Sequence, residues 1–221
     1  MGSDIDPSTR YDSMRRPKVI YIGGPPMVGK TTVARILASR LQYGCVSTDD
    51  IGTAITAVTE VKSHPEFHFM SARDYRDYYA NTDREKLIRD INAYHASLWP
   101  ALRILFHNHM TWGTPVILEG WALRPQYVTE LRGDVAGLYL LADNNLLESR
   151  IFSSSFGEGA HDRKRMLRNY LKRSIRFNSE LKLDISQLGL SAITVTEEMK
   201  PEEIAHYCLR ILGEIRVPLD E

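Results

Sequence analysis

The sequence predicts an α/β protein: a five-stranded parallel sheet in three layers, covered by helices on both faces. Three observations carry this. Five short apolar runs recur along the chain, segments of helical spacing separate them, and the first run closes on glycines that open directly into a helix. Short apolar runs without alternation suit strands buried on both faces, and strands alternating with helices imply parallel pairing through crossovers.

The elements follow in order. Val19 to Ile22 is a buried strand entering the turn Gly23-Gly24-Pro25-Pro26. From Lys30, apolar residues Val33, Ile36, Leu37 and Leu41 recur at helical spacing, with Gly44 expected to end that helix before a brief strand, Cys45 to Ser47. Asp83 to Met110 predicts one or two amphipathic helices, with Pro100 as a start or a kink. Val116 to Glu119 and Ala136 to Leu141 are the third and fourth strands. Asp143 or Asn144 caps a helix through Leu146, Leu147 and Ile151. Met166 to Leu181 is a basic helix, Ala192 to Val195 the fifth strand, and Pro201 to Gly213 the last helix.

The chain of 221 residues reads as one domain over 17–221, with a helical insertion over 51–112 and an arginine-rich lid over about 150–176. Residues 1–16 are polar, lack an apolar signal region and read as a mobile tail or an added leader. Lysine and arginine total 28, matched by 28 acidic residues, so the net charge is zero. That balance argues against a nucleic-acid or anionic-membrane partner. No apolar run approaches the roughly 18 residues that a spanning helix needs. The two cysteines, Cys45 and Cys208, show no metal or disulfide spacing, which suits a reducing cytoplasm. A homodimer is left open.

The strongest motif is Gly24-Pro25-Pro26-Met27-Val28-Gly29-Lys30-Thr31, a complete GxxxxGK[ST] loop. It follows an apolar strand and opens a helix, as a phosphate-binding P-loop must. Backbone amides from Val28 to Thr32 then point at nucleotide phosphates, and the helix N-terminus reinforces them. Lys30 brings a mobile charge to the outer phosphates, and the Thr31 hydroxyl can ligate Mg2+. Gly24, Met27, Val28, Gly29, Lys30, Thr31, Thr32 and, beside the lid, Arg150 are the expected ATP-binding residues.

In open parallel sheets ligands sit beyond the carboxyl ends of strands, and two such ends here are acidic. Glu119 closes an apolar strand, where a carboxylate needs a partner; Mg2+ held with Thr31 supplies one. Gly120 would allow a ligand close approach. Asp49 and Asp50 follow the second strand. Either can cap a helix, and either can orient an acceptor hydroxyl and take its proton, Asp49 ahead of Asp50.

A run of cationic residues begins at Arg150 and includes Arg163, Arg165, Arg168 and Arg173, broken by the stretch Ser153 to Gly159. A flexible segment followed by arginines suits a lid whose guanidinium groups offset transferred charge, with Arg163, Arg165 and Arg168 the foremost candidates. The insertion offers aromatics such as Tyr75, Tyr78, Tyr79, Tyr94 and Trp99 that could line a pocket for a small-molecule acceptor, although helical spacing favours core packing for most.

In order, GGPPMVGKTT, STDDI, GTPVILEGWALRP, a strand, ESRIF and YLKRSIRFN resemble the P-loop small-molecule kinases of the nucleoside-monophosphate-kinase-like group. The likeness runs from about Val19 to Gly213 and is nearest to 2-phosphoglycerate kinase and related AAA-like small kinases. It implies an ATP- and Mg2+-dependent phosphotransferase acting on a hydroxyl of a small metabolite or antibiotic. It also implies that Asp49 is the acceptor-side aspartate, Glu119 the acid after the third strand, and Arg150 and Arg176 the arginines flanking the lid. Chloramphenicol-phosphotransferase-like and zeta-toxin-like kinases share this layout, so antibiotic and nucleotide-sugar acceptors stay open. So does a nucleotide-driven ATPase or switch acting on a macromolecule.

Overall fold

A computed structural model describes residues 16–70 and 74–214. All but the last residue of the expected tail lies outside the described residues. The sheet holds five parallel strands in the order β2-β3-β1-β4-β5. They are β1 (Val19–Gly23), β2 (Gly44–Ser47), β3 (Val116–Gly120), β4 (Val135–Ala142) and β5 (Ala192–Val195). Among the described residues eight α-helices accompany them: α1 (Lys30–Leu41), α2 (Thr48–Val58), α3 (Tyr75–Asn81), α4 (Arg84–Thr111), α5 (Pro125–Val128), α6 (Asn144–Ser153), α7 (Arg163–Leu188) and α8 (Pro201–Glu214). The expected strand order along the chain and the three-layer arrangement are both present.

The central strands are buried on both faces, and side-chain alternation divides their residues between two cores. Ile20, Ile22, Ile117, Leu138 and Leu140 pack against α1 and α8 through Val33, Leu37, Ile204 and Cys208. Val19, Tyr21, Val116, Leu118 and Leu141 pack on the other face against α4 and the second half of α7, through Leu98, Leu102, Phe106, Phe177 and Leu181. Burial on both faces explains why the strands read as unbroken apolar runs. β2, at the edge, is only partly covered.

Several local expectations change. α1 ends at Gln42, which takes the left-handed conformation at φ 59°, while Gly44 instead opens β2. α4 is one helix of 28 residues with Pro100 inside it rather than at its start. Burial of Leu98, Trp99, Leu102 and Phe106 on either side of the proline holds the helix together where propensity alone would end it. Between Asp143 and Asn144, Asp143 is the cap, its Oδ1 accepting the Leu146 amide at 2.7 Å. The segment 51–112 does two jobs: the second half of α4 is a layer of the core, and α2, α3 and the first half of α4 wall a cleft.

Candidate functional site

The site begins where β1 ends. Gly24 (φ 147°), Met27 (φ 65°) and Gly29 (φ 100°) take backbone conformations that fold the loop over the start of α1. A side chain on Gly24 would run into the Leu140 carbonyl, so that position needs glycine. Val28 is fully buried and pins the loop to the core. Gly29 caps α1 with no side-chain hydrogen bond, which leaves the first amides of the helix for an anion. Arg150 reaches across from α6 and donates to the Met27 carbonyl at 3.0 Å, bracing the loop. Thr32 lies exposed in the first turn of α1.

Lys30 is 8 % exposed, and its Nζ donates to the Pro25 carbonyl at 2.8 Å. Burial pulls its pKa below the ordinary lysine value, while the Glu119 and Asp49 carboxylates push it back up; burial is the stronger.

Strand register sets the acids beside this loop. Ile22 pairs with Glu119, and Ser47 pairs with Glu119 on its other side, so three strand ends lie in one row. Glu119 is 2 % exposed and its Oε1 accepts the Thr31 hydroxyl at 2.9 Å. A hydroxyl and a carboxylate in contact beside this loop are oxygen donors of the kind that Mg2+ takes, one or two from the protein. Among the described residues no cluster of three His, Cys, Asp or Glu offers an all-protein metal cage.

Ser47 starts α2, its Oγ accepting the Asp49 amide at 3.2 Å, so the cap is Ser47 and both aspartates lie in the first turn. Asp49 faces the cleft; Asp50 is not among the residues lining it. Trp121, just after β3, donates its indole Nε1–H to Asp49 Oδ1 at 2.8 Å. Gly120 (φ 154°) is where Thr48 presses in: a side chain there would strike the Thr48 hydroxyl. The close approach it permits is therefore between two parts of the chain, α2 and β3.

Lys30 and Asp49 open onto a cleft of about 960 Å³. Its walls come from α2, α3, α4, the loop after β3, the loop before α7, and α7 itself. Aromatic rings are prominent in them, among them Phe67, Tyr79, Tyr94, Phe156 and Tyr170. Burial raises the hydroxyls of Tyr94 and Tyr170 to about 12, so both stay protonated hydrogen-bonding groups at neutral pH. Arg173, on the buried face of α7, is 2 % exposed and lines the same cleft. Its guanidinium lies 4.5 Å from the ring centre of Tyr170, 4.8 Å from Trp121 and 5.2 Å from Tyr79, and Nη1 donates to the Tyr79 hydroxyl at 2.8 Å. Three ring faces offset the charge that burial would otherwise penalise.

The structure places the lid arginines differently from one another. Arg163 turns back into its own loop, donating to the Phe156 carbonyl at 3.2 Å and to the Ser154 carbonyl. Arg165 is exposed, and Arg168 lines a separate groove with Lys164 and Lys172 on the outer side of α7. Arg176 is held by Glu85 at 2.7 Å and Glu180 at 2.8 Å. None of these four lines the cleft; the loop before α7 contributes Phe156 instead. Sequence reasoning counted Arg173 in the cationic run without singling it out, and passed over Trp121. A signal for Arg173 exists: with Met166, Tyr170, Phe177 and Leu181 it follows the helical spacing of the buried face, where a charge needs a partner. Trp121 carries no comparable signal.

No family model matches the chain. The curated 2-phosphoglycerate kinase of Pyrococcus horikoshii is 23% identical over 146 residues, which cover 65% of this chain and 48% of that protein. The chain thus spans about half the length of the curated relative it matches. Among solved structures, shikimate kinase from Acinetobacter baumannii in complex with shikimate superposes with a TM-score of 0.51 at 16% identity, covering 94% of this chain and 98% of that one. Shikimate kinase from Aquifex aeolicus gives 0.47 at 15% identity, covering 89% and 96%. The chain therefore has the fold of the P-loop small-molecule kinases, with the phosphate loop at the carboxyl end of the central strand.

Proposed function

We propose that the protein is an ATP- and Mg2+-dependent phosphotransferase acting on a hydroxyl of a small molecule. The observation that carries this is that Pro26 and Lys30 of the P-loop and Asp49 line one cavity, with the Thr31–Glu119 pair, 2.9 Å apart, next to Lys30 along the loop. The loop amides and Lys30 would hold the outer phosphates of ATP. Thr31 and Glu119 would hold a Mg2+ ion, which would offset phosphate charge when bound. Asp49 would receive the proton of the acceptor hydroxyl as its oxygen attacks the terminal phosphorus and the bond to ADP breaks. Alignment and electrostatics supply most of such a rate enhancement, so a preorganised cleft is the main requirement. Arg150 would stabilise the nucleotide end of the site through the loop. Arg163, Arg165 and Arg168 would reach transferred charge only after a movement of the loop before α7.

Trp121 would act as a positioning residue for Asp49. Trp121→Phe keeps the ring that packs on Arg173 and His95 but removes the donated N–H. A hydrogen bond to a carboxylate contributes about 1.5 kcal/mol, so kcat should fall roughly tenfold while KM for ATP stays put. A change confined to KM for ATP, or to thermal stability, would assign Trp121 a packing role alone.

The function is tested by incubating the protein with ATP and Mg2+ against a panel of hydroxylated metabolites and antibiotics, following ADP release and the mass of the product. Acceptor-dependent ADP release with a phosphorylated product is expected. Rapid hydrolysis without any acceptor, and no phosphorylated product across the panel, would favour a nucleotide-driven switch. No described helix is long and apolar enough to cross a membrane, and Cys45 is an exposed free thiol. Both suit an enzyme of a reducing cytoplasm.

A further inference from the structure

The acceptor cleft holds far more ring surface than charge. Phe156 touches Tyr75, Tyr79 and Tyr170 with ring centres 5.4, 5.9 and 4.5 Å apart. A second cluster joins Tyr94 to Phe67 at 5.7 Å and to Phe69 at 5.8 Å. Both clusters line the cleft of about 960 Å³, which is the range of sites for drug-sized ligands.

The charged lining groups are mostly committed already. Arg76 grips Asp74 through three contacts of 2.6 to 2.9 Å and donates to the Glu158 carbonyl at 3.0 Å. Asp49 takes the Trp121 indole, and Lys30 donates to the Pro25 carbonyl. Arg173 remains. Its Nε and Nη2 are buried and have no partner among the described residues, so one edge of the guanidinium awaits an oxygen. Its three ring contacts are cation–π faces and carry no counter-charge.

On the kinase reading above, we infer that the acceptor is a ring-bearing alcohol of drug size, with a mainly apolar body and one oxygen acceptor for the edge of Arg173. A small polyanionic acid fits poorly. It would leave most of the cavity unfilled and bring several charges against aromatic walls that cannot solvate them, with a single guanidinium edge to meet them. A ring-bearing ligand gains by stacking on those walls, while one carbonyl or carboxylate oxygen satisfies Arg173. Its hydroxyl would then lie toward Asp49.

The probe is 1-anilinonaphthalene-8-sulfonate, which joins aromatic rings to one oxyanion, read by its fluorescence on the full chain. Saturable binding at one site is expected, weakened roughly tenfold by Phe156→Ala and by Arg173→Met, with Phe156→Leu retaining most of it. Thermal melts identify any variant that fails to fold, and Arg173→Met carries the comparison if Phe156→Ala is lost. Hydroxybiphenyl carboxylic acid and its methyl ester should both displace the probe; whichever is tighter tells whether Arg173 takes a carboxylate or a carbonyl. 2-Phosphoglycerate and shikimate should not displace it at comparable concentration. Displacement by either of these but not by the biphenyls would overturn the inference, as would a probe affinity that neither Phe156 variant nor Arg173→Met changes. Binding of a fluorescent ATP analogue is measured in parallel. Its failure would count against the kinase reading and leave the ring-binding result standing; success there with no ring binding would remove the ligand class alone.

Discussion

An Asp49→Asn variant is expected to bind ATP as the parent does and to lose phosphoryl transfer by about 10²- to 10⁴-fold, the range that a positioned general base supplies. Asparagine has the same shape, so its carbonyl oxygen can still accept the Trp121 indole that Asp49 Oδ1 accepts at 2.8 Å. The capping of α2 is untouched, because that role belongs to Ser47. The loss should therefore fall on the proton transfer rather than on the fold. Single-turnover transfer, once an acceptor is identified, against titration of a fluorescent ATP analogue separates the two. Transfer rates within about a factor of two of the parent's would take Asp49 out of the chemistry, since even a weak general base contributes more.

Lys30→Met should have opposite effects on binding and on stability. Losing a charge-assisted contact to phosphate costs about 1.5–3 kcal/mol, so ATP affinity should drop roughly 10- to 100-fold. The nucleotide-free protein, however, should melt higher than the parent at neutral pH. Burial disfavours the ammonium and outweighs the attraction of Glu119 and Asp49, so the folded state holds this proton less tightly than the unfolded chain. With the folded pKa depressed, the penalty is complete below that pKa and fades as pH rises toward the ordinary value of 10.5. The gap in melting temperature between variant and parent should accordingly be widest near neutral pH and close on the alkaline side. A variant that melts lower at neutral pH would show that the carboxylates and the Pro25 hydrogen bond, and not burial, dominate at Lys30.

The proposed nucleotide half of the site could be drawn from the sequence because its parts are local. GxxxxGK[ST] is contiguous, and the strand before it and the helix after it each announce themselves by periodicity. Glu119 was legible for a related reason: a carboxylate ending the apolar run Val116 to Leu118 is costly unless something meets it, and Thr31 does. Register then placed it, since Ile22 and Glu119 are paired neighbours. The lid was less legible. Composition marked a flexible, cationic stretch correctly as a loop and a helix, yet charge count says nothing about which side of the helix each arginine takes. Arg163 braces its loop and Arg168 faces away from the cleft.

The acceptor half depended on the fold. Asp49 and Trp121 are 72 residues apart in sequence, Tyr79 and Arg173 are 94, and each pair meets only because β3 lies beside β2 and α3 packs on α7. On its own, the sequence determined the sheet's strands in chain order, the phosphate loop and the acids beyond the strand ends, all set by periodicity and by the cost of leaving a polar group unpaired in an apolar run. Tertiary structure alone decided that Phe156 rather than a lid arginine enters the cleft, that Arg173 is the unpaired cation there, and that the walls are aromatic. Those are contacts between distant segments, and spacing along a chain records which face a residue takes without recording what that face meets.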